Sequence, residues 1–311
     1  MKTCHIGVNG GGAKTEIILL NDSGREEGRL RVEGSNPSFI GSAEATKILF
    51  AGLNRLLEET GHRQPDVATL LLCMAGHPPY WRELARQLSG WGEVRATTDA
   101  EPILHLAAPA GPAIIIHAAT GSFVCARAPD DQVRFAGGLG WLFGDAGSGF
   151  DIGRRAITQA LFQLQGWAEK GSVADALRDF TKKESYEANS QYLYAHPERN
   201  AMVTRFAEEI FQLAENGCEE ARGIIGESMD ALAEVAIEVA RQTGLPAGDQ
   251  FTCGCSGRFL FKAPAAEALA ASLRRRRLHW TLKTVREDPI EGVRSLLLTM
   301  KNLSPEPPSS P

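Results

Sequence analysis

Residues 5–24 read HIGVNGGGAKTEIILLNDSG, and residues 113–127 read AIIIHAATGSFVCAR. In each stretch an apolar run enters a turn of small residues and a second apolar run leaves it. That pattern predicts strands at 5–9 and 16–20 around Gly10, Gly11 and Gly12, with a turn at 21–24. It predicts a second hairpin at 113–117 and 123–127 around 118–122. A third strand follows each hairpin, at 29–32 and at 133–136. No sequence repeat stands at a fixed period, so an internal duplication rests on the order of elements.

Outward from the first hairpin, residues 43–59 carry Ile48, Leu49, Leu53, Leu56 and Leu57 at helical spacing. Residues 67–74 form a nearly continuous apolar run, as in a strand buried on both faces. A helix at 80–88 and a strand at 93–97 lead to Thr98 and Asp99, with a helix-like segment after them. Beyond the second hairpin lies a glycine-rich stretch at 137–153, then a helical region over 151–242 whose last helix is 218–242. A strand at 251–255, a turn at Ser256 and Gly257, and helices at 264–273 and 290–302 complete the chain. The expected domains are 1–111 and 112–303, with the last helix packing back on the N-terminal domain. The Pro/Ser-rich tail at 304–311 is expected to be disordered.

Hydrophobic residues at 43% and charged residues at 23% give a globular composition, and a net charge of -5 argues against a nucleic-acid surface. No apolar run approaches the roughly 18 residues of a membrane span, and MKTCHIGVNGGG lacks a signal-peptide core, so a cytoplasmic protein is expected. Cys4, Cys73, Cys125, Cys218, Cys253 and Cys255 are read as thiols, most of them in apolar runs. Cys253 and Cys255 have no second pair at zinc-site spacing.

Four places carry candidate chemistry. Glycines 10–12 let backbone N–H groups approach an anion, because no Cβ intervenes. A strand follows them, which excludes the P-loop arrangement; a plain tight hairpin is the alternative. Thr120, Gly121 and Ser122 offer hydroxyls and backbone to a second phosphate, or form an ordinary polar turn. Asp99 at a strand end suits either a helix N-cap or a general base. Asp145, within GDAGSG, caps the following helix or accepts hydrogen bonds from sugar hydroxyls.

Taken in order, strand–GGG–strand, SNP, TTDA, the TGS hairpin, GGLGWLFGDAGSG and a late glycine turn resemble the BadF/BadG-type ATPase family, in particular its N-acetylglucosamine kinases. The resemblance runs from about residue 5 to 300, and GDAGSGFDIGRRAI is its most specific piece. It implies an α/β, two-lobed actin/hexokinase-like (ribonuclease H-like) fold with duplicated mixed β-sheet domains flanked by helices. It implies a Mg-ATP-dependent kinase acting on the 6-hydroxyl of an amino sugar, N-acetylglucosamine or glucosamine, with lobes that close over the substrates and a possible homodimer. By the same resemblance Gly10, Gly11, Gly12, Ala13, Lys14 and Thr15 form the first phosphate loop. Thr120, Gly121 and Ser122 form the second, the first two also meeting sugar, and Gly257 belongs to the adenosine loop. Asp99 is the base, Asn36, Leu139 and Asp145 border the sugar, and Asn9 reaches Mg2+ through water.

The chain departs from the family pattern at several of these places. Asn9 stands where many members carry Asp, Ala13 replaces a hydroxyl residue, Ala119 replaces a Gly, Leu139 a Trp and Ala146 a Glu. Cys255-Ser256-Gly257-Arg258 replaces a double-glycine turn. A sugar-sensing protein with weakened catalysis therefore stays open. So does an ATPase activator of the family, although Cys125, Cys253 and Cys255 do not supply a convincing iron–sulfur ligand set. Arg274–Arg277 reads as a solvated helix end, Arg154 and Arg155 as a bridge between lobes, and His77, His105 and His117 as core or surface residues.

Overall fold

The computed structural model describes residues 3–248 and 250–300; the tail expected at 304–311 lies outside them. Contacts divide the chain into two compact units, Met1–Pro109 with Glu287–Pro311, and Ala110–Arg286.

The first unit runs β1 (Cys4–Gly10), β2 (Lys14–Asn21), β3 (Glu26–Glu33), α1 (Pro37–Ile40), α2 (Ser42–Thr60), β4 (Val67–Met74), α3 (Pro78–Gln87), β5 (Glu93–Thr97) and α4 (Ala100–Ala107). Its sheet has the order β3-β2-β1-β4-β5. The first three strands form an antiparallel meander, and β4 and β5 add in parallel beside β1. All of β1 is buried, as a central strand covered on both faces requires. At the edge, β3 buries only Leu30. One face packs Ile6, Val8 and Leu72 against Leu49, Leu53 and Leu56 of α2. Parallel neighbours need long crossovers, and α2 and α3 supply them.

The second unit runs β6 (Ala113–Ala118), β7 (Ser122–Arg127), β8 (Val133–Gly137), α5 (Gly149–Gln165), α6 (Ser172–Thr181), α7 (Tyr186–Ala195), α8 (Arg199–Glu215), α9 (Glu219–Thr243), β9 (Thr252–Ser256), α10 (Ala263–Arg275) and β10 (Thr281–Val285). The sheet order is β10-β9-β6-β7-β8. Read outward from the hairpin, this is the topology of the first unit: a three-strand meander with two parallel strands beside its first member. The duplication read from element order is thus present in the strand connections.

The helical region expected over 151–242 is five helices, α5 to α9. Its breaks fall at Gly166 and Lys182, both in the left-handed region, near His196, and between Asn216 and Cys218. The short α1 and the strand β10 were not anticipated. β10 buries only Val285, so its sequence lacks the apolar run that marks a central strand. The final helix, α11 (Pro289–Met300), rejoins the first unit. Its Ile290, Val293 and Leu297 cover Ile18, Leu20 and Leu71 on the second face of that sheet. Gly7 has no room for a Cβ because Val293 and Leu297 lie on it.

All six cysteines are free thiols, and only Cys218 is not fully buried. Arg154 and Arg155 both pair with Asp151 of their own helix, at 2.9 and 3.0 Å, and Arg155 also with Glu227 of α9, at 3.3 Å. The arginine run is only partly solvated, since Arg275 and Arg276 bond Asp230 and Arg276 bonds Glu234, tying α10 to α9.

Candidate functional site

In the first unit the polar residues gather at the carboxyl ends of the parallel strands, where open α/β sheets bind ligands. The β1–β2 turn closes by a bond from the Gly11 N–H to the Lys14 carbonyl, 2.9 Å. None of Gly10, Gly11 and Gly12 has a positive φ. Their value is closeness. A Cβ on Gly10 would strike Met74 and Ser35, and one on Gly34 would strike the Gly12 carbonyl. The Ser35 N–H donates to the Gly11 carbonyl (3.0 Å) and the Ala75 N–H to the Gly10 carbonyl (2.7 Å). Thr15 is buried, and its hydroxyl donates to Ser35 Oγ at 2.7 Å. Lys14 Nζ pairs with Glu16 at 2.7 Å, while Gly12 and Ala13 are exposed.

Asn36 belongs to the same knot. Its Oδ1 accepts from the Ser38 N–H (2.9 Å) as the N-cap of α1. Gly76, with φ of 91°, lies so close to that side chain that no Cβ fits. Sequence reasoning missed Gly76; its only signal was a small residue after a buried strand. Asn9 is 7% exposed, and its Oδ1 is buried without a hydrogen-bond partner among the described residues. Such an orphaned oxygen suits a water held by Mg2+, an ion bound mainly through phosphates and waters.

Asn9 is in register with Cys73, and Cys73 with Thr97, which puts the ends of β1 and β5 about 10 Å apart at the usual strand spacing. Asp99 follows Thr97 by two residues and precedes α4. The N-cap alternative is not realised, because its side chain makes no capping bond. Burial pushes its carboxyl up to about 6, against the opposing pull of its own backbone N–H. Thr98 Oγ1, also missed from sequence, is buried and unpartnered among the described residues. Glu101 pins the segment by accepting from Arg95 Nη2 (2.7 Å) and from the Thr97 hydroxyl.

In the second unit, the β6–β7 turn closes by a bond from the Ala119 N–H to the Gly121 carbonyl, 2.8 Å. Thr120 is exposed. Gly121 lies against Asp145, whose Oδ2 would be 2.8 Å from a Cβ at that position. The Ser122 hydroxyl donates to the Ala146 carbonyl at 2.6 Å, fastening the hairpin to the Asp145 loop. Asp145 itself is buried, with a left-handed φ of 66°. Burial raises its carboxyl above the ordinary range, and the N–H groups of Ser122 and Gly140 oppose that shift. Its Oδ1 has no partner among the described residues. Ser148 caps α5 by accepting from the Asp151 N–H, and the Gly149 N–H donates to the Ala119 carbonyl at 2.9 Å. Asp145 is therefore outside the helix cap. Leu139 is 66% exposed on the same loop, as are Trp141, Leu142 and Phe143 nearby. Gly257, with φ of 90°, touches the Ala118 carbonyl too closely for any side chain.

The structure thus brings Asn9, Gly10–Thr15, Asn36 and Asp99 to one end of the first sheet, and Thr120–Ser122, Asp145 and Gly257 to one end of the second.

Two duplicated mixed sheets flanked by helices define the actin/hexokinase-like ATPase fold. The chain resembles the structure of a provisionally named N-acetylglucosamine kinase from Chromobacterium violaceum, with a TM-score of 0.72 and 23% identity over 95% of this chain and 99% of that one. A second provisional N-acetylglucosamine kinase, from Porphyromonas gingivalis, gives a TM-score of 0.67 and 20% identity over 96% and 99%. The sequence pattern of the BadF/BadG/BcrA/BcrD ATPase family matches residues 6–294, and the chain belongs to that family. An N-acetylmuramic acid/N-acetylglucosamine kinase of Clostridium acetobutylicum is 28% identical over 197 residues, 61% of this chain. The match spans 63% of that relative's length. Among the described residues no helix is long and apolar enough to cross a membrane.

Proposed function

We propose that this chain is an ATP-dependent sugar kinase that phosphorylates the 6-hydroxyl of an amino sugar, N-acetylglucosamine or glucosamine, in the cytoplasm. Asp99 carries the reading. It is a carboxylate at a strand end that makes no helix-capping bond and that burial has made more basic. Family membership and the named substrates of the relatives support the substrate class.

When bound, Mg-ATP supplies the transferable phosphoryl group and the metal's charge. Asp99 accepts the proton of the attacking hydroxyl, which a desolvated carboxylate with a value near 6 does more readily than an ordinary one. The turns at Gly10–Thr15 and at Thr120–Ser122 would each hold phosphate oxygens, and Asn9 would orient a water of the metal. Asn36 and Asp145 hydrogen-bond the sugar, Leu139 borders it, and Gly257 lets the adenosine approach β9. A coupled ADP-release assay over hexoses, hexosamines and N-acetylmuramic acid with Mg2+ tests this. Turnover is expected on an amino sugar, with the phosphate on O6 by NMR. No ADP release with any sugar would sink the kinase.

A second reading, a sugar-binding regulator with weakened catalysis, is favoured by the neutral Asn9 and by the pairing of Lys14 with Glu16. Calorimetry separates the two: a regulator binds sugar and turns over no ATP.

A further inference from the structure

His117 and Ser256 are register partners at the ends of the parallel strands β6 and β9. The His117 Nδ1 is 2.7 Å from Ser256 Oγ, a hydrogen bond between side chains. The imidazole stacks on Phe123 with centroids 4.7 Å apart and planes 14° apart, and Phe123 stacks on Phe135 at 5.1 Å. Burial lowers the imidazole to about 4, so the ring is neutral at physiological pH. Directly after this pair the two chains part into their turns: Ala118 leads to Ala119–Ser122, and Ser256 leads to Gly257. Two further contacts lie at the same level. The Ala118 carbonyl accepts from the Phe259 N–H at 3.2 Å and abuts Gly257.

We propose that His117 and Ser256 form a positioning latch that fixes the turn at 119–122 and the turn at Gly257 with respect to each other. Apolar side chains at these two places would fill the space equally well; only a polar pair gives the last register step a directional bond. Phe123 stacked on one face of the ring favours the orientation that points Nδ1 at Ser256. The expected consequence for nucleotide affinity rests on the reading of both turns as nucleotide contacts.

Four variants test the latch. Ser256→Ala removes the hydroxyl, His117→Phe keeps an aromatic ring on Phe123 without nitrogens, the double variant combines them, and Ser256→Thr restores a hydroxyl. Amide exchange by mass spectrometry over residues 113–124 and 252–262 reads the turns directly. Both segments should exchange faster in either single variant, the double should be no worse than the singles, and Ser256→Thr should restore protection. Calorimetry with ADP should show affinity about tenfold weaker, with the loss in KM for ATP and not in kcat. Unaltered exchange in both singles, additive effects in the double, or equal loosening of every peptide would overturn the latch. Exchange that responds as expected in a protein that binds no ADP would support the latch and remove the kinase reading instead.

Discussion

Replacing Asp99 by Asn separates the two consequences of burying a carboxylate. Its folded-state value is about 6 against an ordinary 3.8, a difference of about 2 units, with burial as the main cause. At about 1.4 kcal/mol per unit, the ionised form costs the fold up to about 3 kcal/mol, less whatever water the half-buried group retains. The sign follows from linkage. Below pH 4 the group is protonated in both states and costs nothing. Between about 4 and 6 the unfolded chain releases its proton first, so stability falls as pH rises, and above about 6 the full penalty stands. Asp99→Asn removes it. Unfolding in denaturant should therefore show the variant more stable by about 1–3 kcal/mol at pH 8 and equal to wild type at pH 3.5. Turnover should move the other way, falling by about 10²–10⁴ with the loss of the base. In the wild type kcat/KM should drop as pH falls through about 6. A variant with normal turnover would remove Asp99 from the chemistry. One less stable than wild type at pH 8 would refute the argument from desolvation.

Asp151 shows the opposite balance: burial raises it, but the Ser228 hydroxyl and the Arg155 and Arg154 guanidinium groups outweigh that and hold it below the ordinary range. Its stabilisation is present above about pH 4 and lost as pH falls, so Asp151→Ala, which leaves the buried Ser228 hydroxyl unpaired, should cost about 1–3 kcal/mol at pH 7 by thermal or denaturant unfolding, and Asp151→Asn should flatten the acid limb of the stability profile. Gly76→Ala forces a Cβ into Asn36 at a φ of 91°, so KM for the sugar should rise more than KM for ATP in steady-state assays. Asn9→Asp puts a charge on an oxygen that has no partner, so the variant should melt lower without Mg-ATP, recover with it, and need less Mg2+ for half-maximal rate.

The strands that build both sheets were legible because central strands must be apolar on both faces, as residues 67–74 and 113–117 are. The turns at Gly10–Gly12 and Ala119–Gly121 were legible because small residues interrupt those runs. Of the helical region only the last helix was separated, at 218–242; the breaks between α5, α6 and α7 use Gly166 and a left-handed Lys182 without a proline at either. β10 was invisible because an edge strand such as TLKTV need bury almost nothing. At the site, residue type alone could not say whether Asp99 caps α4 or stands free. That decision belongs to backbone geometry, and so does the need for glycine at 76, which follows from a left-handed φ against Asn36.

The duplicated topology repeats one device. In each unit the carbonyl that ends the first strand is gripped from the segment that follows the neighbouring parallel strand, Gly10 by the Ala75 N–H and Ala118 by the Phe259 N–H. A left-handed glycine stands beside each grip, Gly76 with φ of 91° and Gly257 with φ of 90°. The units differ in what surrounds the grip. In the first, Asn9 Oδ1 and Thr98 Oγ1 are buried without partners among the described residues, and the Asp99 carboxyl makes no capping bond. In the second, His117 is spent on Ser256 and Ser122 on the Ala146 carbonyl, and the orphan is Asp145 Oδ1, the oxygen read as a sugar contact. Unsatisfied buried polar groups cost stability, so a fold retains them where something outside the chain completes them. In the proposed reading that asymmetry divides the labour. The second unit holds its turns rigid for binding, and the first keeps a desolvated base and an orphaned oxygen at the place where a hydroxyl gives up its proton.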